Sequence, residues 1–80
     1  MQTVIVKKKP KGSQKKRLVV AVTKKEFVLA VKRNKAKRRI RAIFTEILKN
    51  TSEDFFVIPN HNVLEVSFED LRKEIHNKVR

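Results

Sequence analysis

The sequence predicts an α+β fold, a small two-layer sandwich in which helices pack against one sheet. Three short runs rich in β-branched or aromatic residues indicate strands. Two longer stretches carry apolar residues at the three-and-four spacing that is typical of amphipathic helices. These elements follow one another as strand, strand, helix, strand and helix. Because the chain has 80 residues and no internal repeat, we expect one domain over residues 1–80.

The first two strands are expected to form a hairpin around a basic loop. Residues 3–6 are mostly β-branched, and residues 18–22 form an unbroken apolar run that predicts a strand buried on both faces. Between these strands, seven of the eleven residues 7–17 are Lys or Arg, and Pro10 and Gly12 indicate a turn.

The clearest helix is predicted over residues 33–49. Its apolar residues form one stripe that would face the core, made of Ile40, Ile43, Phe44, Ile47 and Leu48. Lys49 and Asn50 indicate its end, because a cation suits the carboxyl end of a helix and asparagine tolerates the left-handed conformation that often follows. Residues 23–32 show no clear period and are expected to hold at most one turn of helix.

The remaining residues predict a strand, a turn, a short strand and a second helix. Residues 55–59 form the strand, residues 60–62 are typical of a turn, and residues 63–66 indicate a short strand. Ser67 and Asp70 have the spacing of a capping box, which predicts that the last helix begins there. Its buried stripe is expected to contain Phe68, Leu71, Ile75 and Val79.

The positive charge lies almost wholly in the first part of the chain. The net charge is +13, from 21 Lys and Arg against 8 Asp and Glu. Residues 1–49 hold 17 of the cations and 2 of the acids, whereas residues 50–80 hold 4 and 6. This uneven distribution indicates a surface that binds a polyanion. Nucleic acid is the first candidate and an anionic membrane surface the second, although the longest apolar run is too short to cross a bilayer.

The densest cationic segment is residues 32–41, in which seven of ten residues are Lys or Arg and none is acidic. Arg33, Lys37 and Arg41 are four residues apart and line up along the predicted helix. At about 100° per residue, the polar residues flank the apolar stripe as two groups: Asn34, Lys37, Arg38 and Arg41 on one side, Lys35 and Arg39 on the other. We therefore predict an anionic partner, with arginine binding phosphate through two hydrogen bonds and Asn34 reaching a base or a ribose hydroxyl.

Other kinds of site find little support in the sequence. His61 and His76 lack the spacing of a metal pair and are expected on the surface. The chain has one glycine and no cysteine, which argues against a glycine-rich phosphate loop, a thiolate metal site or a disulfide and fits a reducing cytosol. No set of side chains indicates a self-contained nuclease. The five phenylalanines are expected mainly in the core, with Phe27 open between the core and an RNA-facing surface.

Several short motifs of the chain match one known family. The segment Arg33-Asn34-x-x-Lys37-Arg38-x-x-Arg41 is followed by Phe44, and is preceded by Ala-Val at residues 30–31 and by Val-Val-Ala-Val-Thr-Lys-Lys at residues 19–25. Residues 53–58 and 67–71 continue the match as a strand and the start of a last helix. Over residues 3–79 the chain resembles the bacterial ribonuclease P protein.

The resemblance implies a fold like domain 2 of ribosomal protein S5, with a left-handed βαβ crossover that exposes the basic helix. It implies a subunit of the endoribonuclease ribonuclease P, a cytoplasmic ribonucleoprotein that removes the 5′ leader from tRNA precursors. The partner RNA, with bound magnesium ions, performs the hydrolysis, so no cofactor, small-molecule substrate or membrane is expected on the protein. The leader would lie in a cleft on the sheet face. The implied RNA-binding residues are Lys24, Lys25, Arg33, Asn34, Lys37, Arg38, Arg39 and Arg41.

The chain departs from the family pattern in two places. Family members carry a helix before the first strand, which forms one wall of the leader cleft, and this chain is expected to be a short form without it. Residues 25–30 lack the glycine that usually follows the paired lysines and are one residue longer than the common form. The crossover is therefore expected to differ locally.

Three other functions stay open. A structural ribosomal protein would share the fold and the charge but bind ribosomal RNA. A DNA-binding regulator would place the basic helix in a major groove, although no helix-turn-helix pair precedes that helix. A membrane binder would have to turn the apolar stripe towards lipid, whereas the strands need that stripe as core.

Overall fold

The predicted α+β architecture is confirmed, since two helices pack on one face of a three-stranded sheet. A computed structural model describes the protein over residues 3–79. Its elements, in chain order, are β1 (Val4–Lys9), β2 (Leu18–Val20), α1 (Ala30–Lys49), β3 (Asp54–Pro59), a 3₁₀ helix (His61–Leu64) and α2 (Phe68–Lys78). Within this part of the chain, no helix has the length and apolarity needed to span a membrane.

The strand order in the sheet is β1-β3-β2, so β3 occupies the centre. Val57 of β3 pairs with Val6 of β1 in an antiparallel ladder and with Val20 of β2 in a parallel one. The predicted hairpin between the first two strands is therefore wrong. The physical reason is that β3 is the most apolar strand, whereas β1 ends in three lysines, which favour an edge position. The parallel pair, joined through α1, forms a βαβ crossover.

β2 is shorter and less buried than predicted. It covers residues 18–20 instead of 18–22, and its three residues are each half-buried. An edge strand has one neighbour only, and the helices cover a single face of this sheet, so the apolar run is not enclosed on both faces. The backbone N–H of Ala21 still donates to Val57 O at 2.8 Å, which extends the contact with β3 by one residue.

The apolar stripe of α1 forms the centre of the core, as predicted. Its buried members are Ala36, Ile40, Ile43, Phe44 and Ile47, and Leu48 is half-buried. The ring centroids of Phe44 and Phe55 lie 5.2 Å apart, which ties the helix to the central strand. Phe27, which the sequence left open, is also buried in this core.

α1 begins earlier than predicted and ends where predicted. The N–H groups of Lys32 and Arg33 both donate to Leu29 O at 3.1 Å, and the helix therefore begins three residues before the predicted start. At its carboxyl end Asn50 has a φ of −111°, so the chain leaves the helix without the left-handed residue that the sequence allowed.

The short strand predicted over residues 63–66 is wrong. Residues 61–64 form the 3₁₀ helix, since the side chain of Asn60 accepts a hydrogen bond from Asn62 N at 2.8 Å and starts a local turn. Val63, which belongs to this 3₁₀ helix, is fully buried in the core. A local side-chain hydrogen bond here outcompetes the weak β preference of a few apolar residues.

The predicted start of α2 is confirmed, but its apolar stripe is only partly buried. Ser67 Oγ accepts a hydrogen bond from Asp70 N at 3.1 Å, as an N-cap does. Leu71 and Ile75 are buried and Val79 is half-buried. Phe68, however, is 42% exposed. As the first residue of the helix it points beyond the helix end, because side chains tilt towards the amino terminus.

Candidate nucleic-acid interface

α1 turns one polar face away from the core, and this face carries half of the predicted binding residues. We call it the basic helix face and define it as Asn34, Lys37, Arg38 and Arg41. Arg38 lies two residues from both Ala36 and Ile40, which are fully buried, and is therefore on the opposite side of the helix. Lys37 is half-buried, and the other three residues are exposed. The local sequence thus brings three cations and an amide to one strip of the surface.

Most of the predicted side chains have no partner in the protein. Among residues 3–79, the structure gives neither a hydrogen bond nor an ion pair to the side chains of Lys24, Lys25, Asn34, Lys37, Arg38 and Arg41. Lys24 and Lys25 lie in an exposed turn that is closed by a hydrogen bond from Phe27 N to Thr23 O, at 2.9 Å. This turn leads into α1, so its lysines extend the positive charge past the start of the helix.

The two other predicted side chains, Arg33 and Arg39, hold backbone in place. Arg33 Nη1 donates to the carbonyl oxygens of Phe27 (2.8 Å) and Val28 (3.2 Å). Arg39 Nη1 donates to the carbonyl oxygens of Val63 (3.1 Å) and Val66 (2.9 Å), at the carboxyl end of the 3₁₀ helix. Both are half-buried. The structure therefore gives them a positioning role, and their contact with RNA stays a prediction.

Acidic side chains lie away from the basic helix face. Glu46 of α1 contacts Arg72 of α2 at 3.9 Å, and Arg72 also contacts Glu69 at 3.3 Å. Glu74 pairs with Lys78 within α2 at 2.9 Å. The exposed pairs contribute about 0–1 kcal/mol each to stability. Their larger effect is on the field, because the three acids of α2 are balanced by its three cations, whereas the outward side of α1 stays positive.

The basic loop between β1 and β2 is anchored rather than paired as a hairpin. Gly12 N donates to Asp54 Oδ2 at 3.1 Å, and Gln14 Nε2 donates to Phe55 O at 2.8 Å. Gly12 has a φ of +82° at the third position of a turn, where glycine avoids a steric penalty. Asp54 is only 2% exposed, so this buried carboxylate fixes the loop against the end of β3.

Arg17 places this loop at the carboxyl end of α1. Its guanidinium donates to Leu48 O (2.9 Å), Thr51 O (2.5 Å) and Glu53 O (3.2 Å). The neighbouring loop cation Lys16 therefore lies near the carboxyl end of α1, while Lys24 and Lys25 precede its amino-terminal end. No pattern in the sequence predicts this role, since Arg17 is one of seven cations in residues 7–17.

A polar pair borders the amino-terminal end of the surface. Glu26 Oε2 lies 3.0 Å from His61 Nδ1 and accepts a hydrogen bond from His61 N at 3.3 Å. Hydrogen bonding from the His61 side chain, and then from its backbone, lowers the pKa of Glu26 below its ordinary value of 4.5. The carboxylate is therefore ionised at neutral pH.

The histidines and the acids form no metal centre in the described part of the chain, where no three His, Cys, Asp or Glu side chains are grouped to hold an ion. His61 is exposed, as predicted. His76 is half-buried rather than on the open surface, and its Nε2 has no hydrogen-bond partner among residues 3–79.

Comparison with known sequences finds one family. The model of the ribonuclease P family matches residues 1–80 of the chain. The ribonuclease P protein component of Mycoplasma genitalium is 38% identical over 58 residues, which are 71% of this chain and 45% of that protein. The one from Buchnera aphidicola subsp. Baizongia pistaciae is 40% identical over 62 residues, 76% of this chain and 54% of that protein. The chain thus spans about half the length of the curated relatives it matches.

Two solved structures share the fold. The ribonuclease P protein of Staphylococcus aureus superposes with a TM-score of 0.73 at 25% identity, over 96% of this chain and 72% of that one. The ribonuclease P protein of Thermotoga maritima, solved in complex with 1-(4-fluorophenyl)-2-thiourea, gives a TM-score of 0.76 at 28% identity, over 96% and 77%.

Proposed function

The chain belongs to the ribonuclease P protein family, and on this premise we propose that it binds the catalytic RNA of ribonuclease P in the cytoplasm and assists removal of the 5′ leader from tRNA precursors. The observation that carries the proposal is the basic helix face, where three cations and an amide have no protein partner among residues 3–79. The contribution of the chain would be electrostatic. Its cations neutralise phosphates, stabilise the folded RNA and lower the magnesium concentration that the RNA needs.

The residues of the surface would bind different groups of the RNA, according to the chemistry of their side chains. Arg38 and Arg41 suit phosphate, since a guanidinium presents two parallel N–H groups to its oxygens. Asn34 suits a base edge or a ribose hydroxyl, because an amide both donates and accepts. Arg33 and Arg39 keep an Nη2 and an Nε for RNA while their Nη1 atoms hold backbone carbonyls.

The 5′ leader would pass over the face of the sheet that the helices leave open. Ile58 of β3 is half-buried on that face, and Ile5, its partner in β1, is 46% exposed. The next pair on this face is Phe56, half-buried, and Lys7, exposed. An apolar strip with an adjacent lysine suits unpaired nucleotides, because their bases stack on apolar surface and their phosphates bind cations.

Cleavage of a tRNA precursor at low magnesium tests the function. The catalytic RNA of Mycoplasma genitalium ribonuclease P would be assayed alone, with the chain, and with its Lys37→Ala/Arg41→Ala variant. Lys73→Ala is the matched control, because Lys73 is an exposed cation at the centre of α2, away from the basic helix face. Thermal unfolding of each variant would verify that its fold is intact.

We expect the wild-type chain and Lys73→Ala to stimulate cleavage at the mature 5′ end, and the double variant to stimulate it less. Tight RNA binding without stimulation would contradict the ribonuclease P role and favour a structural RNA partner. Equal stimulation by the wild type and the double variant would instead support the function but show that the basic helix face does not contribute to it.

A further inference from the structure

An exposed apolar patch lies at the amino-terminal end of α1. Val28 is 78% exposed, Leu29 57% and Val31 73%. These are three of the five large apolar side chains that are exposed in residues 3–79, and they lie within four consecutive residues. The other two, Ile5 and Phe68, lie on β1 and α2. Contiguous exposed apolar surface in a small protein is typical of a binding site.

The patch forms one wall of an open groove. The groove has a volume of about 500 Å³ and runs between the start of α1, the turn before it and the 3₁₀ helix. It is lined by Glu26, Phe27, Val28, Leu29, Lys32, Lys35, His61, Leu64 and Glu65. This volume lies within the range of roughly 300–1,000 Å³ that small-ligand pockets occupy. Val31 belongs to the patch but does not line the groove.

Two lysines, Lys32 and Lys35, and two acids, Glu26 and Glu65, line the groove. Lys32 and Lys35 belong to α1, whereas Lys24 and Lys25 belong to the exposed turn just before Glu26 and do not line the groove. All four lysines are exposed, and none has a hydrogen-bond or ion-pair partner among residues 3–79. A ligand that fits offers negative charge to Lys32 and Lys35, hydrogen-bond donors to Glu26 and Glu65, and an apolar surface to Val28 and Leu29.

One wall of the groove is held in place before any ligand arrives. The Arg33 guanidinium donates to the carbonyl oxygens of Phe27 and Val28, which ties the turn to the first turns of α1. The opposite wall is the 3₁₀ helix. It is tied to the same turn by Glu26, which binds both the side chain and the backbone N–H of His61. Walls that are already ordered lose little conformational freedom on binding.

We propose that this groove receives one unpaired nucleotide of the RNA bound by the basic helix face, with its base against Val28 and Leu29 and its flanking phosphates at the lysines; this rests on the function proposed above. A base has apolar faces and a polar edge, which match the apolar wall and the Glu26 carboxylate. Because a carboxylate only accepts hydrogen bonds, bases that present an amino group are favoured over uracil, whose single edge donor, N3–H, lies between two carbonyl oxygens. A protein segment matches this lining less well, because it would have to be acidic at Lys32 and Lys35 and also offer hydrogen-bond donors to Glu26 and Glu65.

The variant Val28→Ser/Leu29→Ser tests the groove, and Val31→Ser is its matched control. Each change replaces exposed apolar side chains by the same polar one, and serine at position 29 also suits the N-cap of α1, so the fold is kept. Binding of Mycoplasma genitalium ribonuclease P RNA would be measured at several salt concentrations. Base-specific chemical probing of the bound RNA would show which unpaired bases the protein protects, and sedimentation would give the oligomeric state.

We expect the groove variant to bind RNA about tenfold more weakly, at an unchanged salt dependence, because a lost base contact removes no phosphate contact. One or a few unpaired bases should lose protection, and Val31→Ser should behave as the wild type. Unchanged affinity and protection, or an equal loss in Val31→Ser, would overturn the groove and leave the proposed function intact. A wild-type dimer that the groove variant converts to monomer would assign the patch to a second copy of the chain. Absence of RNA binding by the wild type would overturn both.

Discussion

Two neighbouring arginines on α1, Arg38 and Arg39, have different roles. Arg38 projects into solvent from the side opposite the core, whereas Arg39 Nη1 donates to the carbonyl oxygens of Val63 and Val66. The first interaction partner of Arg38 must therefore come from outside the chain. Arg39 already joins α1 to the 3₁₀ helix, because its guanidinium satisfies carbonyls that the end of that helix leaves free.

Exchange of each arginine for alanine should separate stability from RNA binding. We expect Arg39→Ala to lower the free energy of unfolding by about 1–3 kcal/mol, since two charge-assisted hydrogen bonds to part-buried carbonyls are lost. Arg38→Ala should change it by about 0.5 kcal/mol or less and should weaken RNA binding instead. Urea unfolding and RNA titration of both variants measure this. Equal stability losses would show that the contacts of Arg39 contribute no more than those of an exposed side chain.

The different roles of Arg38 and Arg39 lie beyond what the sequence alone can predict. Helical periodicity placed both correctly, with Arg39 on the flank away from Lys37 and Arg41, because the spacing of side chains around a helix is a local property. Which carbonyls reach Arg39 depends on a segment 24 and 27 residues later in the chain. No local pattern reports such a distant contact. Arg33 was also taken for a free cation, although its partners lie only five and six residues earlier, because residues 23–32 show no clear period that predicts their turn.

At the scale of the element, the carboxyl end of α1 depends on a residue from the basic loop. The last carbonyls of a helix have no partner within it, and Leu48 O receives one from Arg17. The same guanidinium donates to Thr51 O and Glu53 O, so it also fixes the connection from α1 to β3. Loop, helix end and strand start are joined through one side chain.

We expect Arg17→Ala to lower the free energy of unfolding by about 1–2 kcal/mol, although the Arg17 side chain is 43% exposed. The physical reason is the loss of three hydrogen bonds to carbonyls at an element end. Lys16→Ala is the control, because it removes the adjacent exposed cation with no such contacts and should stay within about 0.5 kcal/mol of the wild type. Comparable urea midpoints for the two variants would refute this role of Arg17.

The elements themselves were largely predictable, but their arrangement in the sheet was not. The stripe of α1 and the cap at Ser67 follow from neighbouring residues, and both are confirmed. The place of β3 between β1 and β2 follows from contacts more than thirty residues apart, and two strands separated by a short loop favour the simpler hairpin. The 3₁₀ helix was missed because a hydrogen bond at Asn60, and not apolar periodicity, decides that segment.

At the scale of the whole molecule, the two ends of the described chain are tied together. Thr3 N donates to Glu74 Oε2 at 2.9 Å, and Thr3 Oγ1 donates to Glu74 Oε1 at 2.8 Å. Lys78 Nζ completes the cluster by donating to Glu74 Oε2 at 2.9 Å and to the carbonyl oxygen of Val4. Thr3 is fully buried, so the start of β1 and the middle of α2 are held by one carboxylate.

This cluster should make stability depend on pH. Burial alone would raise the pKa of Glu74, but hydrogen bonds from Thr3 N, from Lys78 and from Thr3 Oγ1 outweigh it and hold the pKa below its ordinary value of 4.5. A carboxyl whose pKa is lower in the folded state stabilises that state above its unfolded pKa. The stabilisation is lost as the pH falls through the folded pKa.

We therefore expect Glu74→Gln to lower the free energy of unfolding by about 1–2 kcal/mol at pH 7, and by progressively less below pH 4.5. Urea unfolding of both proteins between pH 7 and pH 3 measures the difference, in which the titration of all other acids cancels. Glu69→Gln, at an exposed pair on α2, is the control and should show little difference at any pH. A difference for Glu74→Gln that does not change with pH would exclude the charge as its cause.

At this scale, the positive charge of the basic helix face should also set how RNA binding depends on salt. Each phosphate contact releases counterions, so the logarithm of the affinity falls linearly with the logarithm of salt, by about 0.7–0.9 per contact. If Lys37 and Arg41 each bind one phosphate, Lys37→Ala/Arg41→Ala should reduce the slope by about 1.5, whereas Lys73→Ala on α2 should leave it unchanged. Titration of Mycoplasma genitalium ribonuclease P RNA between 50 and 400 mM salt gives both slopes; this salt range is about eightfold, wide enough to resolve such a change. A double variant that binds more weakly at an unchanged slope would mean that these two residues support the fold of α1 and do not contact phosphate.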